Sequence, residues 1–197
     1  MRVHLLRHGE SEANVGGFIN DDPARPVHLT ERGRAQARAA AEALAGTAFD
    51  RVFCSRFPRA RQTAEVLMAG LGLDLPLQVD ARLDERRSGL DGQPVEAFNG
   101  LVRPDPVRIR PPAGESFLEA MDRVKGFMDE VVAHFPEARV LLVSHENPIQ
   151  AVLAWTMAPE QAVILPVENC GWRVVEWPVN VADRGRGAVG RGHRNPP

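Results

Sequence analysis

Apolar positions along the chain fall into short continuous runs separated by longer amphipathic stretches. That is the pattern of strands buried on both faces alternating with surface helices. Val3, Leu5 and Leu6 make the first run, which stops at Arg7 and His8. Ser11-Glu12-Ala13-Asn14 follow, and then the Gly16-Gly17 loop running to Pro26 reads as an irregular connection, because its Gly, Asn, Asp and Pro content punctuates it. Thr30 is a candidate N-cap for an alanine-rich helix to Leu44, closed by Gly46. Residues 49–55 read as a second strand. It feeds a helix that starts at Pro58, takes Ser55 as its cap and stops at Gly72.

Residues 75–83 have a β-like pattern and run into a polar loop over 84–92. Pro104, Pro106, Pro111 and Pro112 keep residues 93–115 irregular, apart from a short helix beginning at Pro94. Ser116 with Glu119 is a capping box, and Phe117, Met121, Val124, Phe127, Met128 and Val131 then recur at helical spacing to about His134. Val140-Leu141-Leu142-Val143 is a fully apolar strand that ends in Ser144-His145-Glu146, and an apolar helix follows to about Met157. Residues 169–177 make a last strand, read as a sheet edge that could serve a dimer. From Asn180 the sequence turns Arg/Gly-rich without periodicity, so residues 180–197 are expected to form a disordered basic tail. The alternation predicts one α/β domain over residues 1–179, with a mainly parallel central sheet.

Composition narrows the class of protein. The 197 residues suit one domain, and 44% are hydrophobic, enough for a core. The net charge of −2 gives no overall pull toward nucleic acid or an anionic membrane, so neither is expected as a partner. Lys125 is the sole lysine; the remaining basic charge is arginine, which offers planar, bidentate donors to a phosphate. Cys54 and Cys170 lack metal-type spacing and read as small buried hydrophobes in strand-like segments. With no secretory or membrane-spanning stretch in the sequence, a cytoplasmic protein is expected.

The chemistry gathers at strand ends. Arg7-His8, Arg59, Glu85 and His145 each follow a strand or begin the helix after one, and in a doubly wound sheet such ends converge on one edge. Two guanidiniums, two imidazoles and a carboxylate around one point suit a phosphoryl group. A neutral imidazole can attack phosphorus, cations can neutralise the equatorial oxygens, and a carboxylic acid can protonate the leaving oxygen. With arginines in that role no metal and no cofactor are expected. Gly9 is read as the residue that lets the backbone turn against the His8 ring. His4, His134 and the tryptophans are read as structural, and Glu10 and Glu12 as orienting the loop.

Leu6-Arg7-His8-Gly9-Glu10-Ser11-Glu12, the block Leu29 to Ala37, the block Ser55 to Thr63, Glu85, Gly114-Glu115-Ser116 and Ser144-His145 occur in an order that resembles the histidine phosphatase superfamily, also called phosphoglycerate mutase-like. The resemblance spans about residues 2–177. It implies a three-layer α/β/α sandwich. It also implies His8 as phosphate acceptor, Arg7, Arg59 and His145 as the phosphate pocket, Glu85 as proton donor, Asn14 near the phosphate and Arg86 as a substrate contact. Glu146 departs from the commonest pattern, in which glycine follows this histidine. As an alternative acid it would share or replace the role of Glu85.

The short segment between Glu85 and Gly114 favours a phosphatase acting on a small phosphomonoester. The alternatives are a phosphoglycerate mutase-type phosphotransferase and a non-catalytic phospholigand-binding protein. Arg86, Arg87, Arg103, Arg108 and Arg110 fall in the segment expected to cover the site, where they would either favour a second anionic group or face solvent.

Overall fold

Alternate residues of the most apolar strand face opposite ways, and each face has its own helical layer. The computed structural model describes residues 1–178 and the backbone of Gly190–Arg191. Along the chain come β1 (Arg2–Arg7), α1 (Glu12–Gly16), α2 (Glu31–Ala43), β2 (Arg51–Cys54), α3 (Pro58–Leu71) and β3 (Leu77–Val79). A 3-10 turn (Ala81–Leu83), α4 (Val95–Val102), α5 (Phe117–His134) and β4 (Arg139–Ser144) follow, then α6 (Glu146–Leu153), α7 (Pro159–Ala162), β5 (Trp172–Glu176) and β6 (Gly190–Arg191).

The sheet runs β3-β2-β4-β1-β5-β6. β1, β2, β3 and β4 are mutually parallel where they pair, while β5 and β6 run antiparallel. Val140 and Leu142 face one layer with Val3 and Leu5. There they meet Phe117, Val124, Phe127 and Met128 of α5 and Ile149 and Leu153 of α6. Leu141 and Val143 face the other layer, against Ala37, Ala40 and Ala41 of α2 and Ala60, Ala64 and Leu67 of α3. The period of two in a strand therefore produces the three-layer α/β/α sandwich.

Register then decides where the chemistry sits. Arg7 pairs with Ser144, and Cys54 with Val143. The residues immediately beyond these strands, His8, His145 and Ser55, are thereby brought to one edge.

Several sequence expectations change. Ahead of the Gly16–Pro26 loop the structure adds an element: Ser11 caps the short helix α1 with Asn14 in a capping box. The β-like stretch 75–83 contributes a strand of three residues only. Asp80 then accepts from the Arg82 amide at 2.8 Å and starts the 3-10 turn. Ser55 does not cap α3, whose N-cap is Phe57 without a side-chain bond. α6 stops at Leu153, where Thr156 Oγ1 donates to the Leu153 carbonyl, and α7 adds a further turn. Cys170 lies in a turn with φ of 56°, ahead of β5 rather than in it. β5 is not an edge, because Gly190–Arg191 pair with Arg173 and Val174. Apart from that pair, the tail expected over 180–197 lies outside the described residues.

Candidate active site

The loop after β1 carries His8 into a buried position, 3% exposed, under the ends of β4 and β2. Its amide donates to the Ser144 carbonyl at 2.9 Å, which extends the β1–β4 ladder by one bond. Gly9 follows, and its role differs from the expectation. Its φ is not positive; what requires glycine is close approach, since a Cβ here would lie 2.4 Å from the Gly33 carbonyl oxygen. The N-terminal turn of α2 is thus pressed against the His8 loop.

The ring of His8 is held in one tautomer. Nδ1 lies 2.7 Å from the Gly9 carbonyl oxygen, so it bears the proton and donates. Nε2 keeps its lone pair and accepts from Arg59 Nε at 3.1 Å. Burial, reinforced by the Arg59 and Arg7 guanidiniums, holds the ring well below the ordinary histidine pKa, against a smaller opposing pull from the Gly9 carbonyl. The imidazole is therefore neutral.

Arg59, on the first turn of α3, is buried and fully engaged. One Nη donates to Asn20 Oδ1, and the other reaches the Asn20 carbonyl at 3.1 Å and His145 Nδ1 at 3.3 Å. Burial lowers its pKa to about 10, with Glu85 opposing the fall, so it stays a cation at neutral pH. Its carbonyl accepts from Thr63 Oγ1 at 2.7 Å, and the same hydroxyl accepts from the Gly9 amide at 3.1 Å.

His145 is fully buried at the start of α6. Its Nε2 lies 2.7 Å from Ser55 Oγ, and its ring centroid is 5.0 Å from that of His8. With Arg59 donating to Nδ1, the ring proton sits on Nε2 toward Ser55. Burial, then the charge of Arg59, holds this histidine well below its usual range as well.

Arg7 donates to the Val167 carbonyl at 2.6 Å and pairs with Glu146 at 3.4 Å, while its buried Nε has no partner among the described residues. Glu146 also accepts from the Val167 amide at 3.1 Å, so both of its oxygens are engaged. Glu85 follows the 3-10 turn and, among the described residues, accepts only from the Arg86 amide, at 2.9 Å. Burial raises its pKa; the Arg86 amide, Arg59 and Arg7 oppose that rise, and Glu146 adds to it. Its backbone is fixed from two sides. Ser144 Oγ donates to the Leu83 carbonyl at 2.6 Å, and Arg123 donates to the carbonyls of Arg82 and Asp84 at 2.7 and 3.1 Å. Arg123 is itself held by buried Glu115.

Arg7, His8, Asn14, Arg59, Glu85, Arg86 and Glu146 thus border one cavity of about 510 Å³, with His145 directly beneath. Asn14 Oδ1 accepts from Ser11 and Asn169. Arg86 points the other way, because its guanidinium donates to the carbonyls of Glu115, Pro106 and Ile109 at 3.0 to 3.1 Å. It therefore braces the covering segment. Arg87, Arg108 and Arg110 pair with Glu115, with Asp105 and Glu160, and with Glu119. Arg103 borders the cavity.

Sequence reasoning missed Asn20, which orients Arg59 from inside a loop read only by its composition. It also missed Ser55 as the partner of His145. Both cysteine thiols are pushed up to about 12 by burial, which removes them as nucleophiles.

A family model for the histidine phosphatase superfamily (branch 1) matches residues 3–182. The adenosylcobalamin/alpha-ribazole phosphatase of Salmonella typhimurium is 30% identical over 187 residues, covering 89% of this chain and 90% of the relative. A 2,3-bisphosphoglycerate-dependent phosphoglycerate mutase of Methylobacterium radiotolerans is 33% identical, covering 76% of each chain. Among solved structures, a mycobacterial glucosyl-3-phosphoglycerate phosphatase complexed with VO3 superimposes with a TM-score of 0.78 at 29% identity, covering 88% of this chain and 90% of that one.

Proposed function

The chain belongs to the histidine phosphatase superfamily, and on that premise we propose that it hydrolyses a small phosphomonoester through a phosphohistidine on His8. The observation that carries this reading is the His8 tautomer. With Nδ1–H donating to the Gly9 carbonyl at 2.7 Å, Nε2 is the nitrogen free to attack.

In the first half-reaction Nε2 bonds to phosphorus as the bond from phosphorus to the ester oxygen breaks. Arg59 Nε turns from the ring to a phosphoryl oxygen. The Arg7 Nε–H, which has no protein partner among the described residues, takes another, and Asn14 lies beside them. Glu85, whose protonated form burial favours, gives its proton to the departing alkoxide. The phosphorylated ring is cationic, and the Gly9 carbonyl stabilises its Nδ1–H. In the second half-reaction Glu85 takes a proton from water, the oxygen attacks phosphorus, and the N–P bond breaks. His8 and the protonated Glu85 are restored and inorganic phosphate leaves. His145, neutral and tied to Ser55, fixes the direction of Arg59.

The substrate is a small phosphorylated molecule. Relatives named as alpha-ribazole and glucosyl-3-phosphoglycerate phosphatases support a hydrolase. We place the protein in the cytoplasm, since its two cysteines are free, buried thiols.

The test is trapping with a ³²P-labelled phosphoester, quenched in alkali because phosphohistidine is acid-labile. Label on the wild-type protein and none on His8→Ala is the expected result. Undiminished hydrolysis by His8→Ala would overturn it. Efficient isomerisation of 3-phosphoglycerate with a bisphosphoglycerate primer, and no hydrolysis of simple phosphoesters, would make the protein a mutase.

A further inference from the structure

The cavity divides into two parts of different chemistry. Its floor holds the charged and imidazole groups already described. The apolar part of its outer wall comes from three separate segments, Phe18 and Ile19 after α1, Val95 and Phe98 on α4, and Val163 and Ile164 after α7, beside the polar Ser88, Asn99 and Arg103. Val95 is 38% exposed and Ile164 is 73% exposed, so these side chains face the mouth of the cavity and not the core. Apolar surface held at a cavity mouth gains free energy when a guest covers it.

Two of the cations beside that compartment are engaged by partners of their own. Arg86 lies over the Phe98 ring at 5.1 Å with its guanidinium taken up by three backbone carbonyls. Arg25 lies over the Phe18 ring at 5.0 Å and pairs with Asp91. Both aromatic rings are thereby braced from behind by engaged arginines. Arg103 stands exposed at the border, and it alone of the arginines lining the compartment outside the phosphate floor has neither an ion pair nor a full set of carbonyl partners among the described residues. The carboxylates of Asp21 and Glu146 border the same space and would oppose a second anionic group. The volume of about 510 Å³ exceeds what a phosphoryl group alone needs and falls in the range of about 300–1,000 Å³ that holds a whole small-molecule ligand.

We propose that this outer compartment selects a neutral, largely apolar leaving group, an aromatic or branched aliphatic alcohol, over one carrying a second negative charge. The inference rests on the reading of the site as a phosphatase. In the reaction, the apolar alcohol lies against Phe98 and Ile164 while its ester oxygen stays with Glu85 on the floor. The phosphoryl group then sees the same floor whichever alcohol is attached, and discrimination comes from the outer wall.

The experiment compares kcat/KM for 2-phenylethyl phosphate, ethyl phosphate and 3-phosphoglycerate, all esters of primary alcohols, so that leaving-group chemistry is similar and the compartment makes the difference. The phenyl ester should be preferred over both others by about tenfold or more. Ile164→Ser and, separately, Val95→Ser should each reduce that preference about threefold or more; both residues are exposed, so folding is preserved. Equal kcat/KM for the phenylethyl and ethyl esters would overturn the proposal. So would a preference for 3-phosphoglycerate that Arg103→Gln abolishes, which would make the border a second anion site. Calorimetric binding of 2-phenylethylphosphonate and ethylphosphonate separates the two readings. If no ester is hydrolysed, the phosphatase reading fails. Tighter binding of the phenyl compound by about tenfold would still uphold the compartment, and equal binding would overturn it.

Discussion

Glu85 and Glu146 face one cavity but are wired differently. Glu146 has both oxygens engaged, one by Arg7 and one by the Val167 amide. Glu85 accepts a single backbone hydrogen bond and is raised in pKa chiefly by burial. This wiring supports the proposed role of Glu85 as the proton donor, with Glu146 holding Arg7. Glu85→Gln should lower kcat for an alkyl phosphate by about 10²–10⁴-fold. The loss should be much smaller for 4-nitrophenyl phosphate, whose leaving group departs without a proton. Glu146→Gln should affect both substrates alike, through the grip of Arg7 on the phosphoryl group. The signs of the pH limbs follow. Activity falls with rising pH once Glu85 loses its proton, and with falling pH once His8 gains one. Raising the first pKa and lowering the second increases the fraction of molecules that carry both active forms. A basic limb in the wild-type profile that persists unchanged in Glu85→Gln would show that another group is the acid.

At this scale the sequence was legible where side-chain type and strand end coincide, as at His8 and His145. It was silent on Asn20, whose partner Arg59 is 39 residues away and is reached only because a polar loop folds back. It was silent too on the carbonyls that hold the Arg86 guanidinium, because backbone groups that come together only on folding are invisible in a string of residue types.

Among elements, the junction between the β1 loop and α2 places His8, the proposed nucleophile. A Cβ on Gly33 would fall 2.0 Å from the Glu10 carbonyl oxygen, and one on Gly9 would strike Gly33. Backbone cannot swing aside as a flexible side chain does, so Gly33→Ala must push the loop carrying His8 and its Gly9 partner. Overpacking of this kind costs about 1–3 kcal/mol, and kcat should fall at least about tenfold as the Nδ1–carbonyl bond is disturbed. Gly126→Ala is the control: it lies in α5 with open space around it, and helix propensity there favours alanine by up to about 1 kcal/mol. Thermal melts and kcat on both variants test the pair, and a Gly33→Ala protein as active and stable as wild type would sink the argument.

The long elements were readable because their signals are redundant. β4 is a continuous apolar run, and α5 combines a capping box with seven buried positions at helical spacing. The helices α1 and α7, of five and four residues, are too short to show a period. β6 pairs through two residues, at a position where composition suggested disorder.

For the molecule as a whole, the burial that makes the site reactive also makes the fold acid-sensitive. His8 and His145 lie under the sheet edge. His4 lies within β1, with Nδ1 unpartnered among the described residues and its ring edge-on to Phe49 at 5.0 Å. Burial, with Arg139 and Arg2, takes the pKa of His4 down to about 4, and the two site histidines are lowered well below 6.5. A histidine whose folded pKa is depressed binds its proton more readily in the unfolded chain. Stability is therefore full above about pH 6.5 and is lost as pH falls toward the folded values. Glu85 acts in the opposite sense, since the folded state keeps its proton above the unfolded carboxylate pKa. Glu85 can offset at most one proton, so the three histidines dominate and unfolding takes up protons in that window. Each proton contributes a slope of about 1.4 kcal/mol per pH unit where it is fully differential. Urea midpoints measured from pH 7.5 to pH 5 should fall steadily. His4→Leu should flatten the slope by about one proton without touching the site. A midpoint that stays level or rises on acidification would mean that these histidines are protonated in the folded protein, and the neutral His8 on which nucleophilic attack depends would fall with it.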